Sequence, residues 1–270
     1  VSAWEKKYTP ASIPAPCAPS RWLSNRSSGC KTPLDGANMV WLTPHDNFDV
    51  SPLHRWQFVT LEERPWYAGS EFTVRRGIDL SVFQKNVDWA AAAESGVEFA
   101  VIRLGFRGYG TGALVEDNAF AQNAADAAKA GLTVGVYFYS QAVTEEEAAE
   151  EARFVVERLR GTNVSGPIAY DLEFYTADEA RTDDLTGEQA TQNALAFCDV
   201  IRQAGYEPVV YMNLHWAGSM YGMEELAHLP VWLASYGPVP ALEREWGDFR
   251  YTVYLLSGML GTVLGCLLTG

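Results

Sequence analysis

From Thr73 onward the chain alternates short apolar runs with amphipathic helical periods, and no other feature limits its fold as strongly. Strand-like runs sit near 74–80, 98–104, 133–139, 167–173, 208–212 and 230–235, with helical patterns at 87–95, 116–130, 145–160 and 187–204. Strands separated by helices return parallel to one another, so the expectation is a parallel sheet covered by helices. Thr144 with Glu147, and Thr186 with Gln189, have the spacing of capping boxes. In the first of these helices Ala148, Ala152, Val155 and Leu159 share one face. Its Glu145, Glu146 and Glu147 crowd the N-terminus, where the helix dipole favours anions; the run reads as a solvated helix start and not as a metal site. The second helix buries Ala194, Phe197, Cys198 and Ile201 and stops at Gly205. A closed barrel and a doubly wound open sheet both satisfy this pattern.

Residues 1–72 read differently. Pro10, Pro14, Pro16 and Pro19 crowd one stretch, Ser/Asn/Gly-rich sequence follows, and no long periodic segment occurs. The expected division is an N-terminal extension or linker over 1–72 and one domain over 73–270. The 270 residues are 48% hydrophobic, enough for one sizeable core with an appendage. A net charge of −14 argues against nucleic acid as a partner, because phosphate contacts need Lys/Arg patches. Cys17, Cys30, Cys198 and Cys266 form no CxxC, and no His spacing completes a zinc site, so neither a metal nor an organic cofactor is expected. Cys17 and Cys30 are able to pair in an exported protein, although spacing alone does not decide it. The chain begins at Val1, as a fragment or processed form would, and the absence of a signal peptide says nothing about export.

In barrels the reactive groups gather at the C-terminal ends of the strands. Asp79 ends the first strand, in Gly77-Ile78-Asp79-Leu80-Ser81, and Asp171 and Glu173 end the fourth, in Ile168-Ala169-Tyr170-Asp171-Leu172-Glu173. Alternate strand residues share a face, which points Asp171 and Glu173 the same way with Cα atoms about 6–7 Å apart. Asp79 joins them only if the first and fourth strands face one lumen. Carboxylates sharing a cleft repel, so one pKa rises and a neutral acid stands beside ionised partners. Glycoside cleavage needs that combination: an acid to protonate the leaving oxygen and a carboxylate to stabilise positive charge at the sugar. A D-x-E at a strand end is also a common solvated edge or helix cap, and spacing leaves both readings open.

Aromatic side chains at the same strand ends suit flat sugar faces. Tyr137 and Tyr139 share one face of the third strand with Phe138 opposite, Tyr211 lies on the fifth, Trp216 follows it, and Trp232 lies on the sixth. Strand alternation assigns about half of such residues to the core. Gly105, Gly108, Gly110 and Gly112 form a loop that lacks both a following Lys-Ser/Thr and the GxGxxG spacing, and it reads as a flexible rim loop. His45, His54, His215 and His228 are scattered, and no HExxH or GxSxG supports a metalloprotease or an α/β-hydrolase.

The stretch Gly77-Ile78-Asp79-Leu80-Ser81, then Phe83-Gln84 and Val87-Asp88-Trp89, resembles the opening of family 25 glycoside hydrolases. Matches continue in order through Phe99 to Gly105, then Asp117, Phe120 and Asn123, Ala130-Gly131-Leu132 and Val134 to Tyr137. Asp171-Leu172-Glu173, Pro208 to Tyr211 and Val231 to Tyr236 complete the series. The resemblance covers about residues 74–265. It implies an irregular TIM-like β/α barrel, of five β/α units followed by mostly strands, with lysozyme-like N-acetylmuramidase activity on bacterial peptidoglycan. Carried over by motif, Glu173 is the general acid, Asp171 supports the reacting sugar through its acetamido group, and Asp79 lines the cleft and tunes the other two. The expected substrate-binding residues are Arg103, Tyr137, Tyr139, Tyr211, Asn213 and Trp232. An extracellular or cell-surface location and a monomer follow as expectations.

The C-terminus departs from the family pattern. Tyr251 to Ser257 stands where a strand usually carries Trp-Gln-Tyr, and the chain ends at Gly270 about where an Asp-x-Asn strand would close the barrel. The last strand is therefore expected to be missing, with an open sheet edge and one cleft carboxylate fewer. Residues 251–270 carry no charge, but their four glycines, three threonines and serine argue against a membrane span. Two other functions remain: a chitinase-like enzyme, although Ala169 stands where its D-x-D-x-E would need Asp, and a wall-binding module without catalysis.

Overall fold

The computed structural model describes residues 30–35, 38–42, 58–61, 64–68, 72–84, 86–173, 179–213, 216–217, 220–234, 253–257 and 262–268. Side chains are described for Val59, Tyr67 and Ala68 and within 74–234. The candidate Cys17–Cys30 pairing lies outside the described side chains.

Two antiparallel hairpins come first: β1 (Cys30–Asp35) with β2 (Asn38–Leu42), and β3 (Phe58–Leu61) with β4 (Arg64–Tyr67). Tyr67 is buried in the principal core, so the second hairpin packs on the domain that follows it. The alternating region then forms β5 (Phe72–Leu80), α1 (Trp89–Glu94), β6 (Phe99–Arg107), β7 (Leu114–Glu116), α2 (Phe120–Lys129), β8 (Thr133–Ser140) and α3 (Glu145–Leu159). It continues with β9 (Ile168–Leu172), α4 (Gly187–Gln203), β10 (Pro208–Asn213), the short α5 (Met223–Leu226) and β11 (Val231–Ala234), and ends in β12 (Val253–Ser257) and β13 (Thr262–Leu268). Both anticipated caps are made: Thr144 accepts from the Glu147 N–H and Thr186 from the Gln189 N–H. The Glu147 carboxylate returns to the Val143 N–H, one residue before the cap.

Strands β5, β6, β8, β9, β10, β11 and β12 run parallel or continue the parallel series, and β5 pairs with β6, so the sheet curls toward closure. One expectation is corrected here. The closing strand is not missing: β13 pairs antiparallel with β12 on one side and with β5 on the other. An unpaired β5 edge is a template for any extended segment, and the Thr/Val/Leu/Cys run of β13 supplies one. What 262–268 lacks is the acidic residue, not the strand. Within this nine-stranded sheet, among the described residues, β7 stands outside the ring as the antiparallel partner of β6. Among the described residues no helix is long and apolar enough to cross a membrane.

Period-two alternation sorts the strand side chains into two cores. Ile102, Leu104, Val134, Val136, Phe138, Ile168, Tyr170, Leu172, Val210, Met212, Val231 and Leu233 face outward and pack under the helices, against Ala152, Val155, Ala194, Phe197, Cys198 and Ile201 among others. Phe99, Val101, Ala169, Val209, Tyr211, Trp232 and Ala234 form a separate lumen cluster, with Tyr137 against it. Gly77 is required there: a Cβ on it would lie 2.2 Å from the Phe99 ring.

The glycine-rich rim loop is a tethered turn, not the loose loop expected. Gly108 donates to Ala113 O at 2.9 Å, Arg107 to Gly112 O at 2.8 Å, and Arg181 N–H to Tyr109 O at 3.0 Å. Gly105 sits at a bulge in the β6–β8 ladder, which turns the end of β6 toward β7.

Candidate active site

The ladder registers place the motif residues on neighbouring rungs. Asp79 pairs with Val101 across β5–β6, Arg103 with Tyr137 across β6–β8, Tyr139 with Asp171 across β8–β9, Asp171 with Tyr211 across β9–β10, and Tyr211 with Trp232 across β10–β11. In a barrel, residues on neighbouring strands at one level and on one face meet in the lumen. Asp171 is buried, while Asp79 and Glu173 are half-buried at the strand ends.

All three carboxyls are pushed up. Burial is the main cause for Asp79, followed by the charge of Glu173, and together they carry it to about 7. Asp171 is pushed well above its ordinary value by burial, then by Glu173 and Asp79, with Arg103 opposing. Glu173 is raised by burial, and a hydrogen bond from Tyr211 partly offsets it. The Tyr137 phenol feels all of them: burial first, then Asp79 and Asp171, with Arg103 opposing and Glu173 adding. These mutual influences put Asp79, Asp171, Glu173, Arg103 and Tyr137 in one electrostatic unit at the barrel mouth.

Trp232 meets Tyr137 and Tyr211 edge-on, with ring centroids 6.0 and 5.1 Å away. The buried Asp171 Oδ1 and Trp232 Nε1 have no hydrogen-bond partner among the described residues. Arg103 is fixed by Asp117, at 2.8 Å, and stacks between Phe83 and Phe106, 5.1 and 5.5 Å from their centroids. Tyr139 donates to the Glu173 carbonyl at 3.4 Å. Asn213 differs from the others: its Oδ1 accepts from Trp216 N–H at 2.9 Å, so that oxygen is already engaged by the main chain.

Reading the sequence alone missed Asp117 as the anchor of Arg103. Asp117 also accepts from the N–H groups of Val82 and Ala119, which ties the β5 end to the start of α2. It missed Phe83 as an exposed ring beside the mouth as well. The only local signal was their presence among the motif residues. The acidic run at the start of α3 is more than solvated surface, because Glu147 pairs with Arg181 at 2.6 Å. Among the described residues no group of His, Cys, Asp and Glu is arranged to hold a metal ion.

The raised Asp79 has a consequence for stability. The folded protein keeps a proton on this group up to about pH 7, whereas the unfolded chain releases it near 3.8. The folded state therefore loses stability as pH rises through that window. Asp79→Asn should flatten the dependence of Tm on pH between those two values and raise Tm at the upper end. A Tm–pH slope equal to that of the parent protein would contradict the assignment.

A family model described as "Glycosyl hydrolases family 25" matches residues 78–254. The chain is 26% identical over 179 residues to the autolytic lysozyme of Clostridium acetobutylicum, an alignment covering 66% of this chain and 50% of that protein. It is 25% identical over 209 residues to lysozyme M1 of Streptomyces globisporus, covering 70% and 65%. Among solved structures it superposes on the modular autolysin LytC from Streptococcus pneumoniae in complex with a synthetic peptidoglycan ligand, with TM-score 0.62, 23% identity, and coverage of 77% of this chain and 51% of that one. The chain thus spans about half to two thirds of the length of these relatives.

Proposed function

Because this chain belongs to the glycosyl hydrolases of family 25, we propose that it is a peptidoglycan hydrolase that cleaves the β-1,4 bond between N-acetylmuramic acid and N-acetylglucosamine. The observation that carries the reading is the set of three interacting carboxyls, Asp79, Asp171 and Glu173, at the mouth of an aromatic-lined barrel.

In this account Glu173 is the general acid. Burial raises its pKa and so favours the protonated form, and a hydrogen bond from Tyr211 holds it. The charge of Glu173 is one of the causes that raise both aspartates. A proton resident on Glu173 removes that cause, so ionisation of Asp171 becomes easier, and Arg103 favours it further. The state that the chemistry uses is a neutral Glu173 beside a negative Asp171, which suits an oxocarbenium-like transition state. The proton passes from Glu173 to the leaving oxygen as the glycosidic C–O bond breaks, and Asp171 stabilises positive charge on the sugar; water then adds to the anomeric carbon and returns a proton to the Glu173 carboxylate.

The unpartnered Asp171 Oδ1 and Trp232 Nε1 offer one acceptor and one donor, which match the N–H and C=O of an acetamido group. Tyr137, Tyr211 and Trp232 supply flat apolar walls. Work on the bacterial wall implies an extracellular or cell-surface place of action. Purified, insoluble peptidoglycan incubated with the protein should clear and gain reducing ends. Cleavage of chitin oligomers with peptidoglycan left intact would contradict the substrate assignment, and wall binding without new reducing ends would contradict catalysis.

A further inference from the structure

We infer that Gln141 is a positioning residue for Glu173: its buried side-chain amide, oriented by the Thr182 hydroxyl, holds the main-chain carbonyl of Glu173 just past the point where the β8–β9 ladder ends. The inference rests on the reading of Glu173 as the acid.

The parallel ladder pairs Tyr139 with Asp171 and Ser140 with Leu172, and goes no further. Strand β8 ends at Ser140 and β9 at Leu172, so Glu173 lies one residue beyond the strand that aims it. A residue outside the ladder has lost the main-chain bonds that fix its neighbours. At this point the Gln141 side chain takes the place of a strand. Its Nε2 donates to the Glu173 carbonyl and to the Ser140 carbonyl, each at 2.9 Å.

The amide can satisfy this geometry in one orientation only. Thr182 Oγ1 donates to Gln141 Oε1 at 3.0 Å. A flipped amide would set Oε1 against two carbonyl oxygens. Gln141 and Thr182 are both 0% exposed, so water cannot substitute for a lost partner. The Gln141 N–H points at Glu151 Oε1, 3.4 Å away, and Asn193 on α4 donates to Ala142 O at 2.9 Å, so the main chain that carries the amide is held on both sides. The clamp thus joins the residue after β8, the residue after β9 and the segment that leads into α4.

A catalytic group needs its place fixed closely, and a misplacement of about 1 Å can cost on the order of 100-fold in rate. The clamp also keeps the protein packed around Glu173, and burial is what raises that carboxyl. Loosening it should therefore do two things at once: lower kcat, and move the upper limb of the pH–rate profile to lower pH.

The test uses the full chain, soluble peptidoglycan fragments as substrate, and four variants. Gln141→Leu should lower kcat about tenfold or more, with KM changed about twofold or less, and shift the upper pH limb downward. Thr182→Val should do the same to a smaller degree, and Thr182→Ser, which keeps the hydroxyl, should behave as the parent. If Gln141→Leu does not fold, judged by circular dichroism, the Thr182 pair decides on the same measurements. Parent kcat and an unmoved limb in the folded variants would overturn the inference, as would Thr182→Ser impaired as deeply as Thr182→Val. Glu173→Gln separates the two readings. If it stays active, the acid assignment falls and the clamp's role with it. If it is inactive while the Gln141 and Thr182 variants keep parent kinetics, only the positioning role falls.

Discussion

Glu173→Gln is expected to lower peptidoglycan cleavage by about 10²–10⁴-fold, the range of a general acid's contribution, in a protein that still folds. Gln keeps the length and shape of Glu and an oxygen able to accept the Tyr211 hydrogen bond. It removes the one proton that the mechanism spends. Its effect on stability should be opposite in sign. The folded state raises the pKa of Glu173, so ionising it in place works against folding as pH rises above the ordinary carboxyl range. A neutral amide does not carry that penalty, and Tm at neutral pH should equal or exceed that of the parent. Activity within tenfold of the parent, measured on protein with an intact thermal transition, would remove Glu173 from the mechanism.

The largest effect on stability is expected away from the mouth. Arg107 and Glu151 form a buried pair at 2.8 Å, with side chains 4% and 0% exposed. Arg107 also donates to Gly112 O at 2.8 Å, Glu147 O at 3.0 Å and Glu150 Oε2 at 2.7 Å, so one guanidinium ties the rim turn to the first two turns of α3. Glu151 is held in addition by Ser140 Oγ at 2.6 Å, and burial still raises it to about 7. Arg107→Ala strands this carboxyl without its counter-charge. Removing one partner of a buried pair costs about 3–5 kcal/mol. In a domain of this size that corresponds to a fall in Tm of roughly 6–20 °C. The loss should be smaller at acid pH, where Glu151 is neutral in either protein. Arg107→Lys should recover little, because an ammonium cannot reach four acceptors in a planar fork. Thermal unfolding at mildly acidic and mildly alkaline pH measures both points. A Tm unchanged within 2 °C would show that the network contributes little, a threshold of about 1 kcal/mol or less.

The two predictions separate what could be read in the sequence from what could not. The strands from 72–80 to 231–234 were legible because each is a short apolar run bounded by a helix period, and the buried positions repeat every second residue. Asp79, Asp171 and Glu173 could be singled out because strand ends in a β/α series have a defined direction. The closing strand was misjudged for a physical reason. An uncharged run such as 251–270 has no polar alternation to mark its face, and it lacks the Asp-x-Asn by which the family's closing strand is recognised. Strand β7 is not marked in the sequence, because three residues carry no period; only its Glu116 falls in the helical pattern at 116–130.

Side-chain pairings were out of reach altogether. Arg103 finds Asp117 fourteen positions away, Arg107 finds Glu151 forty-four away, and Gln141 finds Thr182 forty-one away. None of these distances corresponds to a helix or strand repeat. They are set by the barrel bringing β6, β8, α3 and the segment before α4 together at one end.

The most direct test of the central claim is the identity of the sugar that becomes the new reducing end. Purified peptidoglycan is digested with the protein, with Glu173→Gln digested in parallel, and the products are reduced with borohydride and identified by mass spectrometry. The account predicts reduced N-acetylmuramic acid from the parent protein and none from the variant. Reduced N-acetylglucosamine, or no product from folded parent protein, would contradict it.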